Sequence, residues 1–151
     1  MENLIFMITP SSASVAENQV LPLTTIARRT GRAIRSENNS ILLRFAGYYK
    51  VNASITFTAQ EAGDAEIKLQ KNSVDVPAII AATTVTTADT STKTLNLSGI
   101  VRVMPVDTMA TLTLLNSGVA IDTTNIGIDV EYLGWVRYTD NIIVYHRTSK
   151  P

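Results

Sequence analysis

The sequence predicts an all-β protein of two packed antiparallel sheets, and three observations carry that prediction. Residues 48–59 (YYKVNASITFTA) set Tyr49, Val51, Ala53, Ile55, Phe57 and Ala59 on one face and Lys50, Asn52, Ser54, Thr56 and Thr58 on the other. A period of two over this length is what a half-buried strand requires, because successive side chains point to opposite faces of a sheet. Shorter runs of the same kind recur along the chain between turn-forming residues, the pattern of a sandwich or barrel. Helical periodicity is almost absent.

The elements follow in order. Leu4–Thr9 is a first strand, stopped by Pro10-Ser11-Ser12. Residues 20–26 read as a second, with Pro22 favouring an edge where no ladder donor is missed. Ile41, Leu43 and Phe45 alternate with Leu42 and Arg44 before Gly47, and the long 48–59 strand follows. Glu61-Ala62-Gly63-Asp64 has turn chemistry, and Ala65, Ile67 and Leu69 alternate with Glu66, Lys68 and Gln70 after it, which predicts a hairpin. Val74–Val85 is apolar and crossed by Pro77. It runs into threonine-rich residues 83–94, which suit an edge strand with a polar loop as well as a flexible tip. Residues 95–103, 108–115 and 125–132 complete the series, with turns at Pro105–Asp107 and 116–118. Residues 135–145 carry two apolar runs around Thr139-Asp140-Asn141, a terminal hairpin. About ten strands in all call for two packed layers.

Composition bounds the rest. A chain of 151 residues, 45% hydrophobic, fits one domain over 1–151, burying roughly two thirds of its unfolded surface. Thirteen basic and thirteen acidic residues leave no net charge, so no long-range field recruits nucleic acid or an anionic membrane. The absence of cysteine removes disulfides, thiolate nucleophiles and cysteine-rich zinc sites. Glu2 stands where a signal peptide carries positive charge, and the apolar run from Leu4 to Ile8 is too short for its hydrophobic region. No segment approaches the ~20 apolar residues needed to span a bilayer. The expectation is a protein outside the usual secretion route.

The order of elements carries a resemblance. Gly47-Tyr48-Tyr49-Lys50-Val51, then Leu69-Gln70-Lys71-Asn72, then residues 95–103 and 112–116 resemble the tumour necrosis factor and complement globular-head superfamily of jelly rolls. The compact bacterial and phage versions are most similar, including the C-terminal domain of collagen-like spore-surface glycoproteins. Gly47, Tyr49 and Val51 match that group's Gly-x-Tyr-x-Val strand, and Leu69 and Asn72 match its Leu-x-x-Asn-Gly turn. Ser73 stands where the group has glycine, and Val106 precedes Asp107 where a glycine is expected, which puts both turn geometries in question. The resemblance spans roughly residues 15–135 and implies a two-sheet jelly roll that assembles as a homotrimer, one sheet face and its aromatic residues lying around a threefold axis.

Tyr48 and Tyr49 are adjacent, so they point to opposite faces and at most one serves the protomer's own core. Both are candidate trimer-interface residues, since a tyrosine buries apolar area while its hydroxyl stays near water or a partner. The competing reading leaves Tyr48 half-exposed beside Lys50. Arg28, Arg29, Arg32 and Arg35 form the one concentrated basic patch, a candidate anion or glycan contact. The plainer reading has them solvating a loop and pairing with Glu17 or Glu37; Gly31 interrupts any helix through them.

Candidates for chemistry are few. His146 is the only histidine and stands without a nucleophile or acid beside it in sequence. Asp129 and Glu131 fall on one strand face and invite a hard cation such as calcium, but no loop has the ligand spacing, so a solvated face paired with Arg102 or Arg137 is the expectation. No phosphate loop or dinucleotide fingerprint is present, and no cofactor is expected.

Function is therefore expected in surfaces rather than catalysis. The leading reading is a trimeric virion protein of a bacteriophage, assembled in the host cytoplasm: a head fibre, decoration protein or tail-tip receptor binder. Residues 1–10 and 136–151 would dock onto other virion proteins, and a host-surface glycan is the outside partner considered. The alternatives are a host-encoded spore- or cell-surface module of the same fold, and a carbohydrate-active domain using Asp129 and Glu131.

Overall fold

The computed structural model describes residues 2–86, 91–107, 109–139 and 142–146, which form a sandwich of two antiparallel sheets. The strands are β1 (Leu4–Thr9), β2 (Ala13–Val15), β3 (Thr25–Thr30), β4 (Ile34–Glu37), β5 (Ser40–Leu43) and β6 (Gly47–Ala59). They continue as β7 (Gly63–Lys71), β8 (Val74–Val85), β9 (Lys93–Val103), β10 (Ala110–Asn116), β11 (Ile121–Thr139) and β12 (Ile142–His146). A seven-stranded sheet runs β3-β1-β11-β6-β9, with β2 and β12 added along β11; a five-stranded sheet runs β4-β5-β10-β7-β8. The chain changes sheet between β3 and β4, β5 and β6, β6 and β7, β8 and β9, β9 and β10, and β10 and β11. That winding makes the sandwich a jelly roll.

β6 lies at the heart of the seven-stranded sheet between β11 and β9. Its alternation is realised as expected: Tyr49, Val51, Ala53, Ile55 and Phe57 are buried, whereas Lys50 and Ser54 are exposed. Ile126, Ile128 and Val130 from β11 and Leu97, Val101 and Val103 from β9 fill the same layer, facing Ile67, Leu69, Leu112 and Leu114 of the other sheet. Burying an aliphatic side chain of this size contributes about 1.5–3 kcal/mol. Gly99 leaves room on β9 for Ile79 of β8, which a Cβ would strike at 2.5 Å, so the open edge of the sandwich closes there.

Two motif positions acquire physical reasons. Gly47 has φ +143°, and a Cβ on it would run into the carbonyl of Gly134 and the ring of Tyr132, so glycine is what lets β11 pass the start of β6. Asn72 and Ser73, at φ 51° and 66°, form the two-residue turn between Lys71 and Val74. Positive φ at both central residues is the geometry of a type I′ hairpin. The turn expected at the family's Asn-Gly position is therefore made with Ser73, and Asn72 pins it to β10, its N–H donating to the Thr111 carbonyl and its Oδ1 accepting from the Thr111 N–H, both at 2.9 Å.

Several boundaries depart from expectation. Of residues 20–26 only Thr25 and Ile26 lie in a strand, at the start of β3; Val20 makes an isolated bridge to Leu115 and residues 21–24 are irregular. Leu21 and Leu23 are apolar because both are buried where the segment closes the sandwich, with Leu21 N–H bonded to the Leu114 carbonyl at 2.8 Å. β2 and β4 are short and were not anticipated. Val74–Val85 is the edge strand of its sheet, and the Pro77-Ala78 pair, with Ala78 at φ 68°, falls in a register shift opposite Lys68 and Gln70. A proline at a bulged edge removes no needed ladder donor. Residues 87–90 of the threonine-rich tip lie outside the described residues. β11 and β12 pair as the expected terminal hairpin.

Candidate interaction surface

Among the described residues no second layer covers the outward face of the seven-stranded sheet. Register aligns its side chains in rows. Arg28 of β3 stands opposite Phe6 of β1, Phe6 opposite Asp129 of β11, Asp129 opposite Asn52 of β6, and Asn52 opposite Ser98 of β9. The next row reads Leu4, Glu131, Lys50 and Ile100, and the row beyond reads Ile8, Gly127, Ser54 and Asn96.

The surface is polar in the middle with apolar patches to either side. Asn52 Nδ2 donates to Asp129 Oδ1 at 3.3 Å, and Thr56 and Thr94 share a hydroxyl contact of 3.1 Å. Phe6 is 39% exposed and Ile100 52%. The Phe6 ring lies over Gly127, where a Cβ would come to 3.6 Å from Cε1, so the glycine gives the ring a flat floor. Phe6, Asn52, Ser98, Gly127 and Asp129 line a shallow open groove across β1, β11, β6 and β9. Such a mixture of small polar groups with an aromatic and scattered aliphatic side chains suits a protein contact.

The two tyrosines separate as their adjacency demands. Tyr49 is fully buried, its hydroxyl donating to the Phe45 carbonyl at 2.7 Å and accepting from the Phe45 N–H at 3.1 Å. Burial pushes its hydroxyl pKa well above the ordinary value, partly offset by the bond to Phe45. The Tyr132 ring lies 4.9 Å away, and Tyr132 donates to the Ala46 carbonyl at 2.8 Å. Tyr49 is thus committed inside the protomer, and Tyr48, half-buried opposite Arg102, is the one on the outward face.

The arginines are spread rather than gathered. Arg28 and Arg29 alternate along β3, Arg32 sits in the turn after it, and Arg35 lies on β4 of the other sheet. All four are exposed, and only Arg28 borders the outward face. The ion pairs among the described residues are Lys68–Asp75 and Lys71–Asp107, so Glu17 and Glu37 do not appear with them. Asp129 is held by Asn52 rather than Arg102, and no cluster of three or more metal-ligating side chains occurs among the described residues. His146 ends β12 opposite Trp135.

One polar residue of structural weight escaped sequence reasoning. Asn116 is fully buried; its Nδ2 donates to the carbonyls of Val15, Ala16 and Val119 and its Oδ1 accepts from the Gly118 N–H. An asparagine in a turn has no sequence signature that separates this role from an exposed one.

No family model and no curated protein matches the sequence. Solved structures do match in fold. A tumour necrosis factor, Eiger, from S. frugiperda is similar with TM-score 0.70 and 9% identity, covering 93% of this chain and 99% of that one. The globular domain of zebrafish complement 1qA gives 0.61 and 5%, covering 84% and 94%. The vertex protein P5 of PRD1 gives 0.57 and 17%, covering 86% and 96%. The chain has the jelly-roll fold of the tumour necrosis factor and complement globular-head superfamily, and the resemblance read from Gly47, Tyr49, Val51, Leu69 and Asn72 is one of fold.

Proposed function

We propose that this chain is a non-enzymatic, homotrimeric structural or adhesive component of a bacteriophage particle. The observation that carries the reading is the uncovered outward face of the seven-stranded sheet, in a fold shared with a vertex protein of PRD1. Around a threefold axis, Phe6, Ile100 and Tyr48 would leave water while the Asn52–Asp129 row forms polar contacts between copies. No helix among the described residues is long and apolar enough to cross a membrane.

In the particle, residues 136–151 would attach to other virion proteins and the exposed arginines would meet an acidic host-surface glycan; residues 1–10 supply β1, inside the sheet between β3 and β11. Native mass spectrometry of the purified protein tests the assembly: a species of three times the 16.4 kDa chain mass is expected. A stable monomer at micromolar concentration would overturn it. Peptide mapping of purified particles from lysed cells tests the location, and a spore- or cell-surface protein of the host would be recovered with the envelope fraction instead.

A further inference from the structure

In the half nearer the start of β6, the outward face of the seven-stranded sheet carries its charges in strips. β11 contributes Asp129 and Glu131, and the cations stand on the strands around it: Arg28 on β3, Lys50 on β6 and Arg102 on β9. All five are exposed, and none makes an ion pair among the described residues, where the pairs are Lys68–Asp75 and Lys71–Asp107. Facing water they need no partner, but a charge taken out of water without one is strongly destabilising. A face that is buried between copies must therefore find the missing partners in the neighbouring copy.

Two patches of this face are complementary and lie apart on it. At the edge strand β9, Ile100 and Arg102 are alternate residues, so they share the face about 7 Å apart. Ile100 is 52% exposed, and Lys71 Nζ donates to the Arg102 carbonyl at 2.9 Å, which fixes the strand there. On the other side of β6, Phe6 of β1 and Asp129 of β11 stand opposite each other about 5 Å apart, and both line a groove of that face. Lys50 stands directly opposite Glu131, and Arg28 lies two strands from Asp129 on the far side of Phe6. Asp129 itself is held by the neutral Asn52 amide at 3.3 Å, so it is the carboxylate left for a cation from outside the chain.

We infer that the β9 edge of one protomer docks on the β1–β11 groove of the next, with Ile100 against the Phe6 ring and the Arg102 guanidinium on the Asp129 carboxylate. The inference rests on the trimeric reading and names the two surfaces that meet in it. A closed ring of three joins unlike patches head to tail, and these patches are unlike, occupy one sheet face with β6 between them, and match apolar to apolar and cation to anion. The occupant is a second copy because each chain supplies one of each patch, and a ring of three uses every patch once.

The test reverses the charges singly and together in the full chain: Arg102→Asp, Asp129→Arg, and the double variant that exchanges them. Circular dichroism checks that each variant keeps its sheets; should a reversal fail to fold, Arg102→Gln and Asp129→Asn read the same pair at smaller amplitude. By analytical ultracentrifugation over a concentration series, each single reversal is expected to raise the concentration at which half of the trimer dissociates by at least about tenfold, and the exchange to recover most of that loss. Single substitutions that leave this concentration unchanged would overturn the docking, as would an exchange no tighter than the single reversals; the trimeric reading survives both results if the wild type is a trimer. A wild-type monomer would remove both readings together.

Discussion

The two ends of the sandwich are finished differently. The far end, where β10 stops, is closed by polar side chains: Asn116 reaches three carbonyls, the Ser117 hydroxyl donates to the Glu66 carboxylate at 2.6 Å, and the Gln60 amide bridges the side chains of Ser14 and Asp122. Its exposed loop residues include Ser11, Ser12, Glu17, Asn18, Gln19, Gln60 and Glu61. The other end, the ribbon end, where β6 begins and β11 goes on to pair with β12, is held by Tyr49, Tyr132 and Asn72 but leaves Phe45, Val74, Val106 and Met109 exposed. An end that satisfies its own polar groups and exposes charge is complete in the protomer, whereas one that exposes a cluster of apolar loops points to a partner.

The sharpest way to break the comparison is at Gly47. Gly47→Ala places a Cβ against the Gly134 backbone in a φ that side chains rarely adopt. We expect a loss of about 4 kcal/mol or more, read as failure to fold or a collapse of the urea midpoint. Near-wild-type stability would mean that β11 does not pass β6 so closely, and the ribbon's origin would have to be redrawn.

Asn116→Ala probes the other end. Removing one amide takes a partner from the Val15 and Val119 carbonyls and from the Gly118 N–H, which should lower stability by about 3 kcal/mol. Because that end is complete within the protomer, the loss measured by urea denaturation should not depend on protein concentration. A concentration-dependent loss would place the far end in the subunit contact.

Tyr49→Phe removes the hydroxyl that ties the Phe45 loop, a loss of about 1–2 kcal/mol. It also carries a pH signature. Burial raises the folded pKa above that of the unfolded chain, so the contribution is intact below about pH 10 and falls as pH rises beyond it, by up to ~1.4 kcal/mol per pH unit. Alkaline denaturation of the wild type should show that slope, and the phenylalanine variant should flatten it.

The smallest expected effect is a gain. Ser73→Gly relieves a positive φ in the hairpin turn and should raise stability by about 0.5–1 kcal/mol, seen as a higher thermal midpoint. A drop would mean that the Ser73 side chain makes a contact at the ribbon end that outweighs its backbone strain.

Much of the fold was legible because its signal is local. The β6 alternation, the β7 and β9 patterns, and the terminal hairpin each show within a dozen residues. Residues 20–24 misled because burial with a single bridge leaves the same apolar pattern as a strand: Leu21 and Leu23 plug the sandwich from a loop whose backbone meets β10 only at Val20 and Leu21. The candidate surface was legible only in part. Tyr48 and Tyr49 were known to part company, but Phe6, Asn52, Asp129 and Ile100 come from four strands and meet only through register. The arginine patch shows the reverse: a run close in sequence is divided between two sheets.

By itself the sequence determined the strand class and the buried alternation that carries Tyr49 with Val51 and Phe57, since both depend on neighbouring residues and a period of two. Tertiary structure alone decided the geometry of the Asn72-Ser73 turn and its tie to Thr111, why residue 47 has no side chain, and what Asn116 holds. Those depend on strands far apart in sequence lying roughly 5 Å apart, and no local pattern encodes which strand will be the neighbour.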